Sequence, residues 1–165
     1  MIEAIRTRVS VRAWEDKEVE PEKLNEILQA AMQAPSAGNQ QPWEFYVVRD
    51  KDILKRLATI SPYSGCLERA PLAIVNVCDP EGKRFAEVSG VDMAICTEHE
   101  WLQATELGLG AVWIGVAPFA DRIQKAGEIL GLTGKKYVFS ILPVGYPAKK
   151  KEPVTRFDAS RIHEI

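Results

Sequence analysis

The stretch Leu72 to Cys78 constrains this chain more than any other, an apolar run bounded by Pro71 on one side and Asp79-Pro80 on the other. A run of that length, rich in β-branched residues and closed by turn formers, reads as a strand. It lacks the alternation of a half-exposed strand, so it must be buried on both faces, with Cys78 as inert core. Around it, helical and strand patterns take turns. Met1 to Thr7 holds a short helical turn, and Pro21 opens a helix in which Leu24, Ile27, Leu28 and Ala31 share one face until Pro35 ends it. Trp43 to Val48 is aromatic and β-branched, a second strand. Asp50 caps a helix with Ile53, Leu54, Leu57 and Ala58 on its inner side.

The longest helix spans Ser89 to Leu107 and ends at Gly108-Leu109-Gly110. Val91, Ala94, Ile95, Glu98, Leu102 and Thr105 lie near one face of it, and Met93, Cys96 and Trp101 cover another. So broad an apolar surface exceeds the need of a surface helix and places it at the centre of the molecule or in a subunit interface. Ala111 to Val116 is a further strand, Asp121 to Leu130 a helix, and Tyr137 to Val144 the last strand. The alternation predicts an α/β or α+β class with a mixed sheet.

Composition narrows the function. With 165 residues, 46% hydrophobic and 27% charged, the chain is an ordinary globular one for which a single domain, 1–165, is the expectation. A net charge of -2 argues against general nucleic-acid binding. No stretch approaches the ~20 apolar residues of a membrane span, and Glu3 and Arg6 interrupt any secretory leader. Cys66, Cys78 and Cys96 form no CxxC pair, which predicts a reducing, cytoplasmic setting. His99 and His163 are far apart, so metal-ligand spacing and a histidine-based hydrolase are both missing. There is no Gly-rich dinucleotide fingerprint and no P-loop. A chain with so little chemistry of its own fits an enzyme whose reactive group is a bound cofactor.

Two motifs could hold such a group. In Arg8-Val9-Ser10-Val11-Arg12 an extended backbone would point Arg8, Ser10 and Arg12 to one side, where guanidinium forks match phosphate oxygens. Alone, the run also fits a solvated basic edge. The stretch from Pro35 through Ser36, Gly38, Asn39, Gln40 and Gln41 to Pro42-Trp43 sets several amides between two prolines. Such groups can read a heterocycle edge. A polar turn capping the helix explains Ser36 and Gly38 but leaves the three amides without a purpose. Gly115, inside a strand, marks a place where a ligand or another backbone comes close.

These residues resemble the FMN-dependent nitroreductase family. Arg8 to Trp14 is similar to its first signature and Pro35 to Trp43 to its second; Trp113 to Phe119 and Leu142 to Pro147 are similar to its third and fourth blocks, in the family's order. The resemblance implies an α+β fold, an α/β/α sandwich with a mixed central sheet flanked by helices. It implies a homodimer with FMN at the subunit interface. Arg8, Val9 (through its backbone), Ser10 and Arg12 would hold phosphate, ribityl chain and pyrimidine edge. Arg12 would act as electrostatic stabiliser near N1/O2, where reduction builds negative charge. Pro35, Ser36, Asn39 and Gln41 would come from the partner subunit. Ile114, Gly115 and Val116 would lie along the flavin face with a backbone N–H near N5, and Arg156 would reach back to the phosphate. Lys149, Lys150 or Lys151 would assist it, and the Tyr63 to Cys66 loop could add a contact. The tail from about residue 148 to 165 would wrap the partner.

The activity so implied is an NAD(P)H oxidoreductase working by ping-pong hydride transfer through flavin N5. Either NADH or NADPH would serve as donor, and a small nitroaromatic or quinone as acceptor. No side chain would be an obligatory acid and no metal would take part. The short segment Pro80 to Gly90 replaces a long excursion of many family members, so the substrate pocket should be open. The rival readings are a non-catalytic FMN-binding or sensing module and a flavin-fragmenting or dehalogenating relative.

Overall fold

The computed structural model describes residues 1–149 and 151–165. Its elements are α1 (Glu3–Thr7), α2 (Pro21–Met32), β1 (Trp43–Val48), α3 (Lys51–Leu57), β2 (Leu72–Cys78), α4 (Ser89–Glu106), β3 (Gly110–Ala111), β4 (Ile114–Gly115), α5 (Ala120–Leu130) and β5 (Tyr137–Gly145).

Every residue of β2 is buried, as its unbroken apolar run demands. The sheet runs β1-β2-β5-β3, with β4 also on β5, and every strand pair is antiparallel. The expected mixed sheet is thereby corrected, since the parallel component is an isolated bridge between Ser10 and Ala111. The alternation of helices and strands misled because α4 carries the chain across β5. Strands β2 and β3 therefore run the same way without being neighbours. The strand expected over Ala111 to Val116 is in two pieces. Ala111 faces Val144 and Ile114 faces Ile141, so both pieces keep one register across Val112 and Trp113.

Side-chain alternation sorts the core into two layers. Leu72, Ile74, Leu142, Val144 and Ala111 pack with Trp101 and Ala104 of α4 and Ile27 of α2. Ala73, Val75, Val77, Ile141, Ile114 and Val116 pack on the other side with Leu54 and Leu57 of α3 and Ala126 of α5. The result is helices on both faces of one sheet, the α/β/α arrangement. Local rules set the ends. Oδ1 of Asp50 accepts from the N–H of Asp52 and of Ile53, both at 2.9 Å, capping α3. Gly131 closes α5 in the left-handed conformation, φ 65°.

In α4 the inner side is Met93, Cys96, Thr97, Glu100, Trp101 and Ala104. Val91 is 60% exposed, and Ile2 and Ile5 of the N-terminal segment are exposed as well.

Candidate functional site

Where α1 ends, the backbone turns extended at Arg8 (φ -56°, ψ 122°). Arg6 is held by Glu3 on its own helix, Nε to Oε2 2.9 Å. Arg8 instead folds over α4. Its guanidinium carbon lies 4.2 Å from the centroid of the Trp101 ring, and Nε is 3.9 Å from Oε1 of Glu98. Burial pushes the Glu98 carboxyl up, and Arg8 draws it back. Ser10 lies on Ala111, and its carbonyl accepts from Nζ of Lys151 at 2.7 Å. Arg12 is exposed and near Cys66: burial pushes that thiol up, and the Arg12 charge opposes the shift. Arg8 thus packs against α4.

Arg8 shares a cavity of about 670 Å³ with Arg6, Arg156, Ile5, Glu98 and Phe157. The chain's two ends meet there. An adjoining cavity of about 440 Å³ takes Val9, Lys149 and Lys151, with Arg6 in the wall of both. Lys150, the third basic residue considered for this role, lies outside the described residues.

The amide loop sits elsewhere. Its backbone forms a 3₁₀ turn at Ala37–Asn39, with positive φ at Gly38 (55°), Asn39 (55°) and Gln41 (48°). The Ala37 N–H donates to Oδ1 of Asp92 at 2.9 Å, in the first turn of α4. Asp92 precedes Trp101 by nine residues, roughly 13 Å along the helix axis. Within one chain, then, Pro35, Ser36, Asn39 and Gln41 stand apart from the Arg8 run along α4. Gln40 is braced against Asp92 and Phe85, while Pro35, Asn39 and Gln41 are exposed. The short Pro80 to Gly90 segment lies against this loop, where a Cβ on Gly38 would come within 2.8 Å of the Phe85 ring.

At the third block, the side chains of Ile114 and Val116 are core. Gly115 stands opposite Ser140 and is partly exposed; a Cβ there would meet nothing closer than Nε1 of Trp113 at 4.0 Å. Its carbonyl accepts from Nη1 of Arg122 at 3.0 Å. The Val116 N–H donates to the Phe139 carbonyl at 3.2 Å and is committed to the sheet.

One group went unread in the sequence. In the strand row that runs from Gly115 through Ser140 to Asn76, Nδ2 of Asn76 lies 2.8 Å from Oε2 of Glu100, 3.1 Å from Oγ of Ser140 and 3.2 Å from Oγ1 of Thr97, all fully buried. Desolvation pushes the Glu100 carboxyl up to about 8, against the pull of the Asn76 hydrogen bond. Asn76 within a doubly buried strand was the available signal, since a buried amide needs polar partners. Among the described residues no cluster of three or more His, Cys, Asp or Glu could hold a metal ion.

A three-layer α+β chain with an arginine-lined cavity and a separately braced amide loop defines a narrow class of protein. The model of the nitroreductase family matches residues 5–61 and 62–146, and this chain belongs to that family. It is 40% identical over 166 residues to an Archaeoglobus fulgidus protein provisionally named NADH dehydrogenase/NAD(P)H nitroreductase, covering 98% of this chain and 95% of that one. The crystal structure of a protein provisionally named NADH oxidase from Clostridium acetobutylicum superposes with TM-score 0.94 at 43% identity, covering 98% of both chains. The FMN-dependent nitroreductase of Clostridium difficile R20291 does so with TM-score 0.92 at 35% identity, covering 99% of this chain and 98% of that one.

Proposed function

We propose that this protein is an FMN-dependent NAD(P)H oxidoreductase acting on a small oxidised acceptor such as a nitroaromatic or quinone. The observation that carries the reading is the meeting of Arg8 and Arg156 on one cavity, beside a Ser10 tethered by Lys151. A phosphate carries about -1.5 to -2 charges and wants several charge-assisted donors. With Arg6 paired to Glu3, the cavity offers the guanidiniums of Arg8 and Arg156 against the single carboxylate of Glu98. That donor set fits a flavin phosphate. Arg12 is exposed, and its guanidinium would hold positive charge beside the pyrimidine edge. The open space at Gly115 suits a planar ring.

When bound, FMN supplies the chemistry, taking a hydride from NADH or NADPH and passing it to the acceptor in a ping-pong cycle. The chain's residues bind and orient it and hold charge beside it, and none need act as an obligatory acid. The Ser36 to Gln41 loop does not line the Arg8 cavity of its own chain, which supports a homodimer in which each loop serves the partner's flavin. The exposed apolar residues Ile2, Ile5 and Val91 and the exposed residues 154–165 supply surface for that contact. Three free, buried cysteines favour a reducing, cytoplasmic setting.

The test is an absorbance spectrum of the purified, FMN-reconstituted protein, followed by anaerobic bleaching with NADH and NADPH in turn and reoxidation by a nitroaromatic or quinone. A bound flavin bleached by either nucleotide and restored by acceptor is the expected result. A protein that takes up no FMN ends the reading, and one that holds FMN without consuming NAD(P)H is a binding or sensing module.

A further inference from the structure

The amide loop holds a backbone that its sequence alone does not favour. Gly38 takes a left-handed φ freely, but Asn39 and Gln41 do so at a cost, Gln41 more than Asn39. Strain of this kind persists where surrounding contacts over-determine it. Here those contacts converge on one carboxylate. Asp92 is 3% exposed. Its Oδ1 accepts the Ala37 N–H at 2.9 Å, and its Oδ2 accepts Nε2 of Gln40 at 2.6 Å. Gln40 is thereby oriented so that Oε1 accepts the Phe85 N–H at 3.0 Å, while Nε2 lies 3.1 Å from the Phe85 carbonyl oxygen. Ser36 Oγ accepts the Gln41 N–H at 3.0 Å and closes the turn. The outcome is selective. The middle amide, Gln40, is consumed inside the protein. Its neighbours Asn39 and Gln41 are exposed, and among the described residues their side chains make no hydrogen bond.

We infer that Asp92 and Gln40 are a positioning pair that fixes the outward directions of Asn39 and Gln41 for flavin recognition. The inference rests on the FMN reading above and assigns to these two residues a part in cofactor selection. A carboxylate suits the task because it has two acceptors and no donor. It can face the Ala37 N–H and the Gln40 NH₂ together, and it leaves the Gln40 amide one orientation. An asparagine at position 92 would set its own NH₂ against one of those two donors. The bond network would then release either the turn or Gln40.

The experiment compares wild type, Asp92→Asn and the reciprocal exchange Asp92→Asn/Gln40→Glu. The exchange moves the negative charge to position 40. There a carboxylate can accept from the amide NH₂ introduced at position 92 and from the Phe85 N–H, while the new amide's carbonyl oxygen still accepts from the Ala37 N–H; the bond lost is the one Gln40 Nε2 gives the Phe85 carbonyl. Two readouts are taken at a temperature where all three are folded by circular dichroism: FMN affinity by fluorescence quenching, and amide hydrogen exchange of the Ala37 to Gln41 peptide without flavin. Asp92→Asn should weaken FMN binding about tenfold or more and speed exchange in the loop by a similar factor, with the exchange variant recovering part of both. A general loss of packing would not be mended by moving the charge. Unchanged FMN affinity in Asp92→Asn overturns the proposal, as does a double variant no better than the single one. If wild type itself binds no FMN, the flavin reading fails and takes the assigned role with it. Hydrogen exchange then separates that failure from a failure of the clamp.

Discussion

Asn76 Nδ2 lies 2.8 Å from Oε2 of Glu100, joining β2 to α4 through two fully buried side chains. Oε1 of Glu100 and Oδ1 of Asn76 have no hydrogen-bond partner among the described residues, and a carboxylate in that setting would be costly. With its pKa pushed up to about 8, Glu100 is neutral at pH 7. The folded chain therefore holds this proton more tightly than the unfolded one, whose glutamate titrates near 4.5. Stability from this group is present in full below about pH 4.5 and is lost as pH rises to about 8. Glu100→Gln, which keeps the shape and an acceptor for Asn76, should match wild type near pH 5. By pH 9 it should be more stable by on the order of 4 kcal/mol. Urea midpoints across that range check it, and a pH-independent difference would show that Glu100 is ionised in the fold.

Arg8→Ala separates binding from folding. The side chain gives α4 a cation–π contact and a loose pairing with Glu98, together about 1 kcal/mol. Toward a phosphate it would give charge-assisted bonds of about 1.5–3 kcal/mol. The variant should melt within a few degrees of wild type and bind FMN roughly 10- to 100-fold more weakly. Fluorescence titration beside a thermal melt reads both.

Two strand glycines should behave oppositely. At Gly110 a Cβ would sit 2.7 Å from Cγ2 and 2.8 Å from Cβ of Val11, so Gly110→Ala should destabilise the fold by about 1–3 kcal/mol through overpacking. At Gly115 a Cβ would meet nothing closer than 4.0 Å, so Gly115→Ala should leave the melting temperature nearly unchanged and weaken FMN uptake by taking up space proposed for the ring. Melting curves and flavin content of the two variants decide the matter.

A chain ending at Ala148 tests the tail. The sheet and both core layers are complete by Gly145, so far-UV circular dichroism should be retained. Arg156 and the Lys151 tether to Ser10 would be gone. FMN affinity should fall at least about tenfold, and analytical ultracentrifugation should show a weakened dimer. Wild-type affinity in the shortened chain would exclude the tail from the site.

Local order was written plainly in the sequence. The limits of β1 and β2 match the aromatic and apolar runs Trp43 to Val48 and Leu72 to Cys78, because a strand's hydrophobic pattern and its bounding prolines act over a few residues. Asp50 and Pro21 mark helix starts for the same reason. The Arg8 run and the amide loop were legible as polar residue types that a fold would not otherwise gather. What each amide does was not: Gln40 and its neighbours look alike in sequence, and only Asp92 sets them apart.

By itself, then, the sequence determined the elements, the doubly buried strand and the two polar motifs proposed to hold the cofactor. Tertiary structure decided the antiparallel pairing on β5, the neutral state of Glu100, the meeting of Arg8 with Arg156 and the separation of the amide loop from both. These depend on contacts between residues far apart in the chain, and on desolvation that arises only when they close over one another. Such contacts leave no periodic trace in the order of amino acids.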